Sequence, residues 1–241
     1  MTLAIISDIH GNLEALDAVL ADIAAAKASP IACLGDFVGY GASPNECLTR
    51  VRSMLDVALL GNHDVAALGR LRLGGFNSDA ATTARWTRDH LEPSNREWLE
   101  SLPMTAVWHG MRLVHASPSD PDEWNYVLSV HDAEFEFDTF EEPLCVIGHS
   151  HVPGNFVREK NGVRYHRDPA VPIGRNGRLI VNIGSVGQPR DGDPRAAYAL
   201  IRDDPPRLEH RRVEYDVAKA STAILAAGLP QFLAERLRWG E

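Results

Sequence analysis

Short runs of branched aliphatic residues punctuate the chain: LAIIS from Leu3, IACLG from Ile31, VALLG from Val57, MRLVH from Met111, LCVIG from Leu144 and RLIVN from Arg178. Each has the length of a buried strand. Between the first two, Leu13, Leu16, Val19, Leu20 and Ile23 recur at three-to-four spacing, which predicts an amphipathic helix with Asn12 as its N-cap. Strand, helix, strand is therefore the opening theme.

The stretch Asn77 to Leu102 is polar and helical in composition, and Pro93 predicts a break between two helices. A helical lid over 77–102 and a peripheral hairpin both fit that pattern. Further on, RLIVNIG, AAYALIRD and RLEHRRVEYD predict neighbouring strands, followed by a closing helix from about Val217 to Trp239. Internal repeats, low-complexity tracts and linkers rich in Pro, Gly or Ser are all missing, so a single domain over 1–241 is expected.

Composition narrows the function. A net charge of -9 and a pI near 5.6 argue against a protein that coats nucleic acid or an anionic membrane, and they leave a small phosphorylated substrate open. Nucleic acid is then expected only as a substrate. Cys33, Cys47 and Cys145 form no CxxC pair and read as small buried hydrophobes. The opening MTLAIISD has no basic region and too short an apolar run for export or a membrane span, so a cytoplasmic location is expected.

The chemistry sits where the apolar runs end. LAIIS leads to Asp8 and His10, IACLG to Asp36, VALLG to Asn62 and His63, MRLV to His115, and LCVIG to His149 and His151. Functional groups collect beyond the carboxyl ends of strands in sheets with helical crossovers, so these residues can meet although distant in sequence. Extended residues two apart share a side, which would aim Asp8 with His10, and His149 with His151, at one region. At least seven oxygen and nitrogen ligands among these residues are too many for one four-coordinate zinc.

In that order, DIHG, GDFVGYG, GNHD, LVHASP and GHSH resemble the five blocks of the calcineurin-like metallophosphoesterases. The later NIGSVGQPRDGDPRAAYAL resembles a block of small bacterial and archaeal members described as predicted phosphodiesterases, with Ile183 where those commonly have Pro. The resemblance implies an α/β fold, a four-layer αββα sandwich of two mixed sheets flanked by helices, with two metals at one edge. Asp8, His10, Asp36 and His151 would hold the first metal, and Asp36 would bridge to a second completed by Asn62, His115 and His149. The histidines one residue apart in GHSH thus serve two ions roughly 3.5–4 Å apart.

With a bridging hydroxide, such a centre keeps a formal charge of about +1 and attracts an anionic phosphate. The mixed donor set suits Mn, Fe, Co, Ni or Zn. The resemblance also implies that His63 stabilises or protonates the leaving group and that Asp64 holds the His63 ring in the useful tautomer. Asn12 and Arg190 are candidate substrate contacts, while His90, His109, His131, His166 and His210 lie outside the blocks and read as structural or solvent-facing.

One departure bears on substrate. Protein phosphatases of this superfamily carry GDxxDRG in the second block, where this chain has Gly39 and Tyr40 in place of the Asp and Arg. The expected activity is therefore metal-dependent hydrolysis of a small phosphoester, by a phosphodiesterase in the first instance and by a phosphomonoesterase or protein phosphatase as the alternative. The non-enzyme alternative is an interaction scaffold that has lost its metals, against which all seven ligand positions are filled.

Overall fold

The computed structural model describes residues 1–174 and 177–241. The chain opens with β1 (Thr2–Ile6), α1 (Leu13–Ala25), β2 (Ile31–Cys33), α2 (Pro44–Val51), β3 (Leu55–Ala58) and α3 (Asn62–Ala67). Two helices, α4 (Ser78–His90) and α5 (Pro93–Glu100), precede β4 (Thr105–Trp108), β5 (Met111–Val114), α6 (Val130–Glu136) and β6 (Leu144–Ile147). The remainder is β7 (Gly154–Glu159), β8 (Gly162–His166), β9 (Ala170–Pro172), β10 (Arg178–Asn182), β11 (Ala196–Asp203), β12 (Pro206–Val213), α7 (Val217–Ala226) and α8 (Gln231–Arg236).

The strands form two six-stranded mixed sheets, β3-β2-β1-β11-β12-β9 and β4-β5-β6-β10-β7-β8. In the first, β1, β2 and β3 run parallel. In the second, β5, β6 and β10 do the same. RLIVN therefore joins the second sheet as β10, while AAYALIRD and RLEHRRV pair in the first, so the predicted three neighbours divide between sheets. Strand composition does not say which sheet a strand enters.

Side-chain alternation explains the layering. Leu3 and Ile5 of β1 face the inter-sheet core with Leu113, Val146 and Val181, whereas Ala4 and Ile6 point the other way, onto Leu16, Val19 and Ile23 of α1. On the far side of the second sheet, Cys145, Ile147 and Ile180 pack against Ala133 and Phe137 of α6. The result is the four-layer αββα sandwich. Asn12 caps α1, its Oδ1 accepting from the amide of Ala15 at 3.1 Å.

The segment over 77–102 is the hairpin α4–α5, anchored at its turn. Asn45 donates to the carbonyl of His90, and its Oδ1 accepts from Glu92 N and Asn95 Nδ2, while Leu91 and Leu99 enter the core. The predicted closing helix is two helices, because Gly228, with φ of 69°, and Pro230 separate α7 from α8. Leu229, Leu233 and Leu237 from this end pack with Tyr40 and Ala80. Among the described residues, no helix is long and apolar enough to cross a membrane.

Because Ile5 is fully buried between the sheets, Ile5→Ala should cost about 2–5 kcal/mol in urea-induced unfolding. Met54→Ala, at a position 45% exposed, should stay within about 0.5 kcal/mol. Equal effects would contradict the assigned core.

Candidate metal centre

The carboxyl ends of β1, β2, β3, β5 and β6 deliver all seven predicted ligands to one edge of the sandwich. Beyond those ends the loops remain laced together: the amide of Asp8 donates to Gly35 O at 3.0 Å, that of His10 to Asp36 O at 2.9 Å, and that of Gly148 to His115 O at 2.9 Å. The backbone here is not extended as the pairing argument expected. Asp8, His10, Asp36, His149 and His151 all have φ between 51° and 66°. Each left-handed residue costs about 1 kcal/mol or more, so the ligands are turned inward at the expense of backbone strain.

Two triads result: Asp8, His10 and His151 in one, and Asp36, His115 and His149 in the other, all buried, with ligand atoms within 4.8 Å of one another in each. Asp36 Oδ2 lies 3.6 Å from His10 Nε2 and 3.3 Å from His115 Nε2, which places it between the triads. Its Oδ1 accepts from the His63 amide at 2.8 Å. Asn62 stands beside them at the start of α3.

The hydrogen bonding identifies what these atoms await. His10 Nδ1 faces Val38 O at 3.0 Å, His151 Nδ1 faces Gln188 O at 2.6 Å, and His115 Nδ1 faces Leu34 O at 3.1 Å. A carbonyl only accepts, so each Nδ1 carries the hydrogen and, in the neutral ring, each Nε2 presents a lone pair. The Nε2 atoms of His10 and His151 nevertheless lie 3.0 Å apart, and Asp8 Oδ1 is 3.2 Å from the latter. Asp8 Oδ1, Asp36 Oδ2, Asn62 Oδ1, His115 Nε2 and His149 Nε2 are buried without a hydrogen-bond partner. Such a gathering of acceptors fits divalent cations.

Protonation follows from burial and neighbours. Burial drives His10 and His151 well below the usual histidine range and His149 down to about 3, leaving neutral ligands. For His115 burial acts in the same sense, but the carboxylates of Asp36 and Asp8 outweigh it and raise the group to about 9. Burial opposes ionisation of Asp36, yet His115 and His63 beside it hold its carboxyl well below the usual range.

Several assigned roles change. Asp64 spends its oxygens on backbone and not on the His63 ring: Oδ2 accepts from the amides of Asp36 and Gly61 at 2.8 and 3.0 Å, and Oδ1 from Val38 N at 3.2 Å. It ties the β2 loop to the start of α3, and burial and the Asp36 charge push its pKa up to about 8. Asn12 is likewise a fold residue, since its Oδ1 caps α1 and its Nδ2 donates to Gly187 O at 2.8 Å. His63 lines the cleft, its ring 4.4 Å from Tyr40 and 5.0 Å from Phe76, with Nδ1 unbonded. Arg190 lines it too, held by Gln188 Oε1 at 2.7 and 3.2 Å and lying 5.4 Å over the Tyr40 ring.

Above the ligands opens a cleft of about 310 Å³ whose wall includes Leu71, Phe76, Asn77, Glu123, Trp124 and Tyr126. A larger groove, of about 500 Å³, lies elsewhere, between Leu13 and Glu92, and holds none of the ligands. Sequence reasoning missed the aromatic wall, for which the only signal was WNY inside the acidic loop DPDEWNYV. It also missed Asn182, which donates to Gly148 O and Ser150 Oγ and so fixes the turn between His149 and His151.

A double-sheet sandwich with these triads at its strand ends defines a metal-binding phosphoesterase. The chain belongs to the calcineurin-like phosphoesterase superfamily, whose domain it matches over residues 1–204. It is similar to a metallophosphoesterase from Sphaerobacter thermophilus, with 41% identity, a TM-score of 0.90 and coverage of 100% of this chain and 99% of the other. An uncharacterized protein of Methanocaldococcus jannaschii is 39% identical over 99% of this chain and 98% of its own length. A hypothetical protein of Pyrococcus horikoshii, 20% identical, shares the fold with a TM-score of 0.80 over 100% of this chain and 98% of its own.

Two outcomes follow from the ligand geometry. Asp36→Asn should reduce bound metal by at least one ion per chain while far-UV circular dichroism is unchanged; full metal content would remove Asp36 from the centre. In chelator-treated protein, His10, His63, His149 and His151 stay neutral in the fold but bind protons near pH 6.5 once unfolded. Stability from lowered histidines is present above pH 6.5 and lost below it, and His115 and Asp64, with the opposite sign, are outnumbered by the four. The thermal midpoint of metal-free protein should therefore fall between pH 7.5 and 5.5, and a rise would contradict these assignments.

Proposed function

We propose that the protein is a cytoplasmic hydrolase of small phosphoric esters that prefers diesters to monoesters. Asp8, His10 and His151 would hold one divalent ion and Asp36, His115, His149 and Asn62 a second, with Asp36 shared; Mn, Fe, Co, Ni and Zn all suit this donor set. When bound, the two ions supply Lewis acidity toward the phosphoryl oxygens and a hydroxide nucleophile at neutral pH.

The observation that carries the diester reading is the surroundings of Tyr40. Where a monoesterase of this superfamily has its clamping guanidinium, this chain has a phenol 6% exposed, tilted against the His63 ring and packed by the C-terminal helices. Arg190 is the inner cation of the cleft, and Gln188 already takes two of its donors. Glu123 places a carboxylate on the cleft wall. Arg72 and Glu123, both exposed on the cleft lining, offset one another in charge, so the single remaining charge of Arg190 suits a diester, whereas a dianion lacks the fork that an arginine at position 40 would supply.

His63 acts on the leaving oxygen. Burial, with Arg190 nearby, lowers its pKa to about 4 despite Asp36, so near neutral pH it serves as an uncharged N–H donor. Its amide bond to Asp36 Oδ1 ties its position to the ligand between the triads. Asp64 supports this arrangement by holding the backbone of Asp36 and Gly61.

Bis-nitrophenyl phosphate should be hydrolysed with a higher kcat/KM than nitrophenyl phosphate at the same pH and metal; a tenfold preference for the monoester would overturn the diester reading in favour of a phosphatase. Arg190→Ala should lower kcat/KM for both. His63→Ala should retain its metals and lose about 10²–10³ in kcat, less for nitrophenolate than for alkoxide leaving groups. Equal losses for the two leaving groups would deny His63 that role.

A further inference from the structure

The cleft wall opposite Arg190 has a composition that phosphate chemistry does not require. The loop between β5 and α6 carries Trp124 and Tyr126 into it, and the loop between α3 and α4 brings Leu71 and Phe76 from the other side. Tyr126 lies flat on the His149 imidazole, with centroids 4.1 Å apart and planes at 20°, yet it remains 49% exposed. Its inner face is thus fixed by a candidate metal ligand and much of its ring surface is open. Trp124 is held edge-on to His115 at 6.0 Å, on a residue with φ of 58°.

A large ring kept half-exposed beside a metal centre has no packing reason to be aromatic. A planar partner stacked on it gains both apolar burial and favourable ring geometry. The carboxylate of Glu123, the residue before Trp124 and three before Tyr126, adds an acceptor for N–H or O–H groups at the edge of such a partner.

We infer that Tyr126, assisted by Trp124, is a specificity-determining platform that stacks a planar unsaturated ring on the ester group of the substrate. This rests on the phosphoester reading of the site. The ring is a nucleobase or a simple aryl group, chemistries that share a flat π face. Tyr126 acts through ring stacking and takes no part in proton transfer.

Phosphonates, whose carbon–phosphorus bond survives in the site, test this without turnover. Calorimetric titration of the metal-loaded protein should show phenylphosphonate binding at least about fivefold tighter than cyclohexylphosphonate, or a carbon-linked phosphonate of adenosine exceeding that of ribose by the same margin. A larger step in the adenosine pair assigns the ring to a nucleobase, and a larger step in the phenyl pair assigns it to an aryl ester. The step should vanish in Tyr126→Ala and persist in Tyr126→Phe, with metal content unchanged in both. No step in either pair, or a step that survives Tyr126→Ala, overturns the proposal. Failure to bind either these phosphonates or their monoanionic methyl esters, ring or no ring, would instead strike at the phosphoester reading itself.

Discussion

Two imidazole nitrogens that both present lone pairs lie 3.0 Å apart at the base of the cleft, with the carboxylates of Asp8 and Asp36 against them. Acceptors do not attract acceptors, and each ring is prevented from turning its hydrogen inward by a backbone carbonyl behind it. A buried arrangement of this kind is unfavourable by itself and becomes favourable when a cation occupies its centre. Much of the architecture can be understood as the means of keeping these groups in place.

The means are backbone devices at the strand ends. Left-handed residues turn the ligands inward, and glycines let the loops approach so closely that side chains cannot intervene: a Cβ on Gly61 would collide with the Asp36 carboxylate, and one on Gly148 with Asp8 and Ser7. The buried Asp64 carboxylate and the Asn182 amide then fix the loops by accepting from or donating to their backbones. The sheets supply the rigid base from which this strain is sustained, since their facing sides are packed with Leu, Ile and Val.

What the sequence disclosed followed from the same geometry. Each candidate ligand stands directly after an apolar strand, so strand ends and metal chemistry could be read together, and the six aspartates and histidines gather as two buried triads. Residue type alone misled for Asp64 and Asn12, because an aspartate or amide near a site can spend its hydrogen bonds on backbone, and only coordinates show which donors it meets. The left-handed ligands were invisible for a related reason: any residue in DIHG can be drawn as extended. The Trp124–Tyr126 wall has no periodicity and no strand before it, so nothing in its composition marks it as part of the cleft.

Tyr40 joins two parts of the chain that would otherwise be independent. Its ring touches His63 and supports Arg190, yet it is packed by Leu229, Leu233 and Leu237, which lie beyond the 1–204 span of the family match. The side of the cleft that Tyr40 lines is therefore braced by a segment that contributes no ligand. Changes in α7 or α8 can reach the cleft through Tyr40, Phe76 and Ala80, and through the Tyr40 ring they also reach His10, 4.7 Å away, so a segment that supplies no ligand is mechanically joined to the candidate centre.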